Sequence, residues 1–92
     1  MELDLLLGDI RSLKEKRSVL RPIIAELSRR TEAAAAEVGE HDLHRRAGIG
    51  VSIVAAESSH VRDVLDHAER LVAERPEVTL LSARRGLHSS DD

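Results

Sequence analysis

The stretch Thr31-Glu32-Ala33-Ala34-Ala35-Ala36-Glu37-Val38-Gly39 decides how this chain folds. Alanine is the best helix former, and Gly39 is well placed to end a helix as its C′ residue. On propensity the stretch extends the helix before it, giving one long helix from Leu13 to Val38. The alternative ends that helix near Thr31 and makes Glu32 to Val38 a weak strand at a sheet edge. Local propensity favours the first reading.

The segments on either side are easier to read. Glu2 to Gly8 places Leu3, Leu5 and Leu7 on alternate positions, the period of a strand with one buried face. Ser12-Leu13-Lys14-Glu15 has capping-box spacing: the Ser12 hydroxyl can accept from the Glu15 amide while the Glu15 carboxylate reaches back to the Ser12 amide. The following helix aligns Leu13, Leu20, Ile23, Ile24 and Leu27, with Pro22 as a local kink. Arg46 to Ala56 alternates Ala47, Ile49, Val51, Ile53 and Ala55 against Gly48, Gly50, Ser52 and Val54, and reads as a strand. Ser58 or Ser59 is expected to cap a second helix carrying Val61, Val64, Leu65, Ala68, Leu71 and Val72. Pro76 stops it, Val78 to Leu81 forms a last strand extendable to Arg85, and residues 88–92 are expected to be a disordered tail. Residues 1–87 then make one domain.

The chain has 92 residues and no Phe, Trp, Tyr or Cys. The core must be aliphatic, and disulfides, cysteine metal sites and thiol chemistry are excluded. So is any aromatic side chain on which a base could stack. Net charge is −3, but the charge is unevenly distributed. Arg11, Lys14, Lys16, Arg17, Arg21, Arg29 and Arg30 face only Glu15 and Glu26 in the same segment, while Glu32 to Asp42 is acidic. No apolar run approaches the ~20 residues of a membrane span, and no signal peptide is evident, so a cytoplasmic location is expected.

Catalytic chemistry finds little support. His60 and His67 stand two helical turns apart, about 10 Å, too far to share one metal. His41, Asp42 and His44 lack a third ligand at a suitable spacing. Glu37, Glu40 and Asp42 fall in or beside a turn, with nothing apolar to raise a carboxylate pKa. Gly48-Ile49-Gly50 lies within a strand and is no phosphate cradle. The expectation is a protein without enzymatic activity, cofactor or metal. The strongest functional feature is the basic helix: at about 100° per residue, Lys14, Arg17, Arg21 and Ser28 share one side. Lys16 falls within the apolar stripe, so its stem should pack and its ammonium emerge at the edge. Two readings stand, a solvated face held by Glu–Arg pairs and an anion or RNA-backbone surface.

Ser12-Leu13-Lys14-Glu15-Lys16-Arg17-Ser18-Val19 resembles the SLKxKR signature of the YlxP-like bacterial family, classified as a domain of unknown function. The likeness continues through Ala36-Glu37-Val38-Gly39, Asp42-Leu43-His44-Arg45-Arg46-Ala47, Gly50-Val51, Pro76-Glu77-Val78 and Leu80-Leu81-Ser82. It implies an α+β, ferredoxin-like βαββαβ sandwich with both helices on one face of a four-stranded antiparallel sheet. In that pattern Glu32 to Val38 is the second strand, so the resemblance opposes the propensity reading. The family's genes often neighbour those of translation initiation and ribosome maturation factors. The resemblance supplies a fold and a neighbourhood but no mechanism; joined to the basic stripe, it leads to the expectation of a non-enzymatic accessory protein of translation or ribosome assembly that contacts RNA backbone through Lys14, Lys16, Arg17, Arg21, Arg45 and Arg46, with structural roles for Ser12, Glu15 and Asp42. Ribosomal RNA or a ribosome-associated protein is the expected partner. The alternative is a homodimeric or regulatory module using the open sheet face, expected to show Leu6, Gly48, Gly50, Ser52, Val54 and Leu81, small and fairly apolar.

Three departures from the family bear on stability. The chain begins about five residues later, so a truncated first strand is expected; Thr31 and His44 stand where aromatic rings are common. Losing a buried ring costs ~3–5 kcal/mol where the site cannot collapse. Low stability is expected of the isolated monomer, and a melting midpoint well above ~65 °C would contradict it.

Overall fold

A computed structural model describes residues 1–39 and 43–86. Its elements are β1 (Glu2–Leu7), α1 (Leu13–Arg30), β2 (Ala34–Val38), β3 (Arg46–Ser52), α2 (Ser58–Ala73) and β4 (Val78–Arg84). The strands form one antiparallel sheet in the order β2-β3-β1-β4, with both helices packed against one face. This is the ferredoxin-like βαββαβ arrangement expected from the resemblance. The tail at residues 88–92 and the turn residue Asp42 lie outside the described residues.

The long helix favoured by propensity is corrected: α1 ends at Arg30 and the alanines pair in the sheet. Thr31 shows why. Its backbone is extended (φ −132°, ψ 167°) although its amide still donates to the Leu27 carbonyl at 3.0 Å. The Thr31 hydroxyl donates to that same carbonyl at 2.7 Å and accepts from the Ala33 amide at 3.1 Å. One side chain thus terminates the helix and turns the chain outward. Pairing of Ala34, Ala36 and Val38 with Ser52, Gly50 and Gly48 then fixes the strand. Tertiary hydrogen bonding outweighs the few tenths of a kcal/mol per residue by which propensity separates most residue types.

Leu3, Leu5 and Leu7 of β1 are buried against Ile23 and Leu27 of α1, Val72 of α2, and Ile49 and Val51 of β3 within one aliphatic core. Each such leucine contributes about 1.5–3 kcal/mol by leaving water. The α2 stripe is buried at all six expected positions, whereas Leu13 of α1 is exposed and Ile24 half-buried. Neither Ser58 nor Ser59 caps α2: the N-cap residue is Glu57, with no side-chain bond to the helix. α1 runs unbroken through Pro22, whose carbonyl accepts from Arg75 Nη2 at 3.2 Å. Arg75 also bonds Glu26 at 3.3 Å and Glu77 at 2.9 Å, tying α1 to the α2–β4 turn.

Two details shape the sheet's outer face. A Cβ on Gly48 would stand 2.5 Å from the Val38 carbonyl oxygen, so the edge strand approaches β3 more closely than any side chain allows. In β4 the register shifts between Asp4 and Leu5: Leu80 lies opposite Leu5 but Ser82 opposite Asp4, leaving Leu81 as the extra residue of a bulge. Paired β3 ends at Ser52, four residues short of the strand read from alternation.

Candidate nucleic-acid interface

The basic face is built on α1, whose start is fixed at Ser12. The Ser12 hydroxyl accepts from the Glu15 amide at 3.1 Å. The reciprocal half of the capping box is replaced: Glu15 Oε2 accepts from the Arg11 amide at 3.3 Å instead of the Ser12 amide. Lys14, Arg17 and Arg21 are exposed along the helix, spanning about 10 Å at 1.5 Å per residue. Among the described residues, no carboxylate lies within 4.0 Å of Lys14, Arg17, Arg21 or Arg29. The helix's acids are committed elsewhere, Glu26 to Arg75 and to Arg30 at 3.5 Å. The Glu–Arg pairing of the bland reading therefore covers only the far end of the helix.

Lys16 does not join this face. It is 1% exposed, and its Nζ donates to the Leu43 carbonyl at 2.7 Å with Glu37 Oε2 at 3.6 Å. Its ammonium points inward to β2 and the β2–β3 connection, where the sequence had suggested an escape to the edge. The reason is local: Glu37 and Leu43 supply polar partners at the end of the apolar stripe, and a buried ammonium needs them.

Arg45 and Arg46 are separated by the sheet. Arg45 is exposed, but its Nε donates to the Gly8 carbonyl at 3.0 Å and weakly to Leu7, fastening the β1–α1 connection near the start of the basic helix. Arg46 precedes buried Ala47 and so projects to the open face, opposite Leu6 and away from the helices. Lys14, Arg17, Arg21 and Arg45 thus lie on the helix-bearing side; Arg46 does not.

The open face differs from the small, apolar surface expected. Leu6, Gly48, Gly50 and Ser52 lie on it, but Val54 is beyond β3 and Leu81 belongs to the bulge. Its centre is a charged strip. Asp4 accepts from Ser82 Oγ and from Arg84 Nη1, both at 2.7 Å, and Arg84 Nη2 reaches Glu2 at 2.8 Å. The Ser82 hydrogen bond, followed by the Arg84 guanidinium, holds the Asp4 carboxyl below its usual value despite some desolvation. Glu2, Asp4, Arg84, Arg46, Val38 and Gly48 line a basin of about 180 Å³. Sequence reasoning missed this strip. Its signal was the alternation of Glu2 and Asp4 on the polar side of β1, with Arg84 at the end of the neighbouring strand.

Elsewhere, His60 Nε2 contacts both Glu32 carboxylate oxygens at 3.0–3.1 Å, which raises the imidazole pKa. Among the described residues no group of three His, Asp or Glu side chains is arranged to hold a metal. No described helix is long and apolar enough to cross a membrane. No functionally curated protein matches the chain. A family model described as "Protein of unknown function (DUF503)" matches residues 1–85. As that match covers nearly the whole length, the chain belongs to the DUF503 family.

Proposed function

We propose that the protein is a non-enzymatic, cytoplasmic accessory factor of translation or ribosome maturation that contacts RNA phosphate through α1. The carrying observation is the exposed row Lys14, Arg17 and Arg21 with no carboxylate beside it among the described residues. Arg45 flanks the row at its N-terminal end. The connection to translation rests on the family resemblance, and the choice of surface on the charge geometry.

The sheet face is the less suitable partner for RNA. Sheets that bind single-stranded RNA in α+β domains stack bases on aromatic side chains, and this chain has none. Glu2 and Asp4 also place carboxylates at the face's centre. Binding through α1 is therefore directed at the backbone and tolerant of sequence. With about three phosphate contacts, log K should fall with log salt at a slope of roughly −2 to −3.

The test is sedimentation with ribosomal subunits, and gel shift with ribosomal RNA, from ~50 mM salt upward. Binding that weakens with salt, and is lost when Lys14, Arg17 and Arg21 are changed together to Glu, is expected. No binding at the lowest salt, or binding indifferent to the triple substitution, refutes the reading.

A further inference from the structure

β2 is a terminal strand of the sheet, and its register with β3 shows which of its backbone groups are spent. The Val51 amide donates to the Met1 carbonyl and the Val51 carbonyl accepts from the Met1 α-ammonium, both at 2.8 Å. An antiparallel ladder alternates, so Ala35, opposite Val51, turns its own amide and carbonyl outward, while Ala34 and Ala36 bond to β3. Among the described residues nothing takes the outward groups of Ala35. The strand also lacks the usual guards of an edge. Its sequence, Ala-Ala-Ala-Glu-Val, holds no lysine and no proline, and its pairing with β3 runs without a bulge.

The helix above this edge supplies a guard of its own. The buried line of α1 is Lys16, Leu20, Ile23 and Leu27. At about 100° per residue, Glu26 and Arg17 stand about a quarter turn to either side of that line. The Glu26 side faces α2, since Arg75 just beyond α2 bonds both Glu26 and the Pro22 carbonyl. Arg17, and Arg21 a further step round, therefore overhang the opposite flank, where α1 packs on β2. Lys16 meets Glu37 at one end of β2, and the Thr31 hydroxyl links Leu27 to Ala33 at the other. Ala35 lies between, about level with Arg21. A strand added beside β2 carries alternate side chains in step with Ala35, and these rise towards Arg17 and Arg21.

Charge decides the occupant. Among the described residues no carboxylate lies within 4.0 Å of Arg17 or Arg21, so a strand entering this lane meets uncompensated cations on its helix side. A second copy of β2 does not answer them. Two-fold pairing on Ala35 would turn Arg17 and Arg21 of both copies towards each other, and the one carboxylate of β2, Glu37, already stands beside Lys16. We propose that the β2 edge, overhung by Arg17 and Arg21, takes an extended acidic segment of a partner protein as a fifth strand. The Ala35 amide and carbonyl fix its register, and Asp or Glu side chains at alternate positions meet the two guanidiniums. The charges admit acidic segments and reject basic ones. This goes beyond the RNA reading and does not rest on it, and because both ligands use Arg17 and Arg21 they compete.

The test is an NMR titration of the full chain at ~50 mM salt with a short capped peptide of alternating valine and glutamate. Binding is expected, with slower hydrogen exchange at the Ala35 amide. Arg17→Gln combined with Arg21→Gln should weaken it at least tenfold; both residues are exposed, so that variant should melt with the wild type. N-methylation of the peptide's glutamates removes the amides aimed at β2 and should also weaken binding at least tenfold. N-methylation of its valines, whose amides point away from β2, should leave binding unchanged. A peptide that does not bind overturns the proposal. So does equal binding by the two methylated forms, which would mean that charge alone holds the peptide. A chain that binds oligouridylate RNA but not the peptide refutes the fifth strand and leaves the RNA reading standing. Peptide binding without RNA binding supports the fifth strand and refutes the RNA reading.

Discussion

Lys16→Met isolates the energetic role of the one buried ammonium described above. Methionine retains an unbranched apolar side chain of similar reach, so the change removes charge and donor with little loss of packing. What remains is a Glu37 carboxylate that has lost a cation at 3.6 Å and a Leu43 carbonyl that has lost a donor at 2.7 Å. Removing one partner of a fully buried pair costs about 3–5 kcal/mol. Glu37 retains 20% exposure, and Leu43 is exposed and can turn its carbonyl to water. The expected loss is therefore about 2–3 kcal/mol. For a domain of this size that lowers the melting midpoint by roughly 10–20 °C. Urea titration followed by circular dichroism measures it, with Lys14→Met as the exposed control, expected within about 0.5 kcal/mol of wild type. Adding Glu37→Gln to Lys16→Met should recover part of the loss, because the Glu37 carboxylate no longer has the Lys16 ammonium beside it. A cost below about 1 kcal/mol for Lys16→Met, or a double variant no more stable than the single, would refute the reasoning.

Gly48→Ala should destabilise by about 1–3 kcal/mol in chemical denaturation, because its Cβ meets the Val38 backbone at 2.5 Å, whereas Gly8→Ala has open space around it. Thr31→Val keeps a β-branched shape but removes both hydroxyl bonds at the α1–β2 junction; a loss of about 1–2 kcal/mol and faster amide exchange at Ala33 are expected. The His60 pKa, read by NMR titration, should lie above its ordinary value and return toward it in Glu32→Gln. A raised folded-state pKa contributes stability fully present below the unfolded value of about 6.5 and lost as pH rises through the folded one. Wild type should therefore lose a small increment as pH rises above the unfolded value of about 6.5 that Glu32→Gln does not.

Strands β1 and β3 and helix α2 were legible in the sequence because each buries one face, and burial writes itself as a period of two or of 3.6. Residues 31–39 were not, since their conformation is set by a Thr31 hydroxyl and by pairing with residues 48–52, neither of which propensity weighs. The resemblance to the family supplied that strand. For Lys16 the wheel placed the charge correctly among apolar neighbours, but its partners Glu37 and Leu43 come from distant sequence. The Glu2–Arg84–Asp4 strip depends on the bulge at Leu81, and a single-residue slip of register is invisible in a strand only partly alternating. The exposed row on α1 was legible in full, because it depends only on helical spacing within one element.

Because β1 lies between β3 and β4, the first strand made is the last to be enclosed. Leu3 finds its neighbours at Ile49 and Ala83, far downstream. At synthesis rates of about 5–20 residues per second, β1 waits roughly 2–9 s for β3 and longer for β4. Throughout that interval Leu3, Leu5 and Leu7 have no native sheet partner. A stall before β4 is complete would leave a central strand with one side open, an adhesive intermediate whose fate depends on what else surrounds the nascent chain.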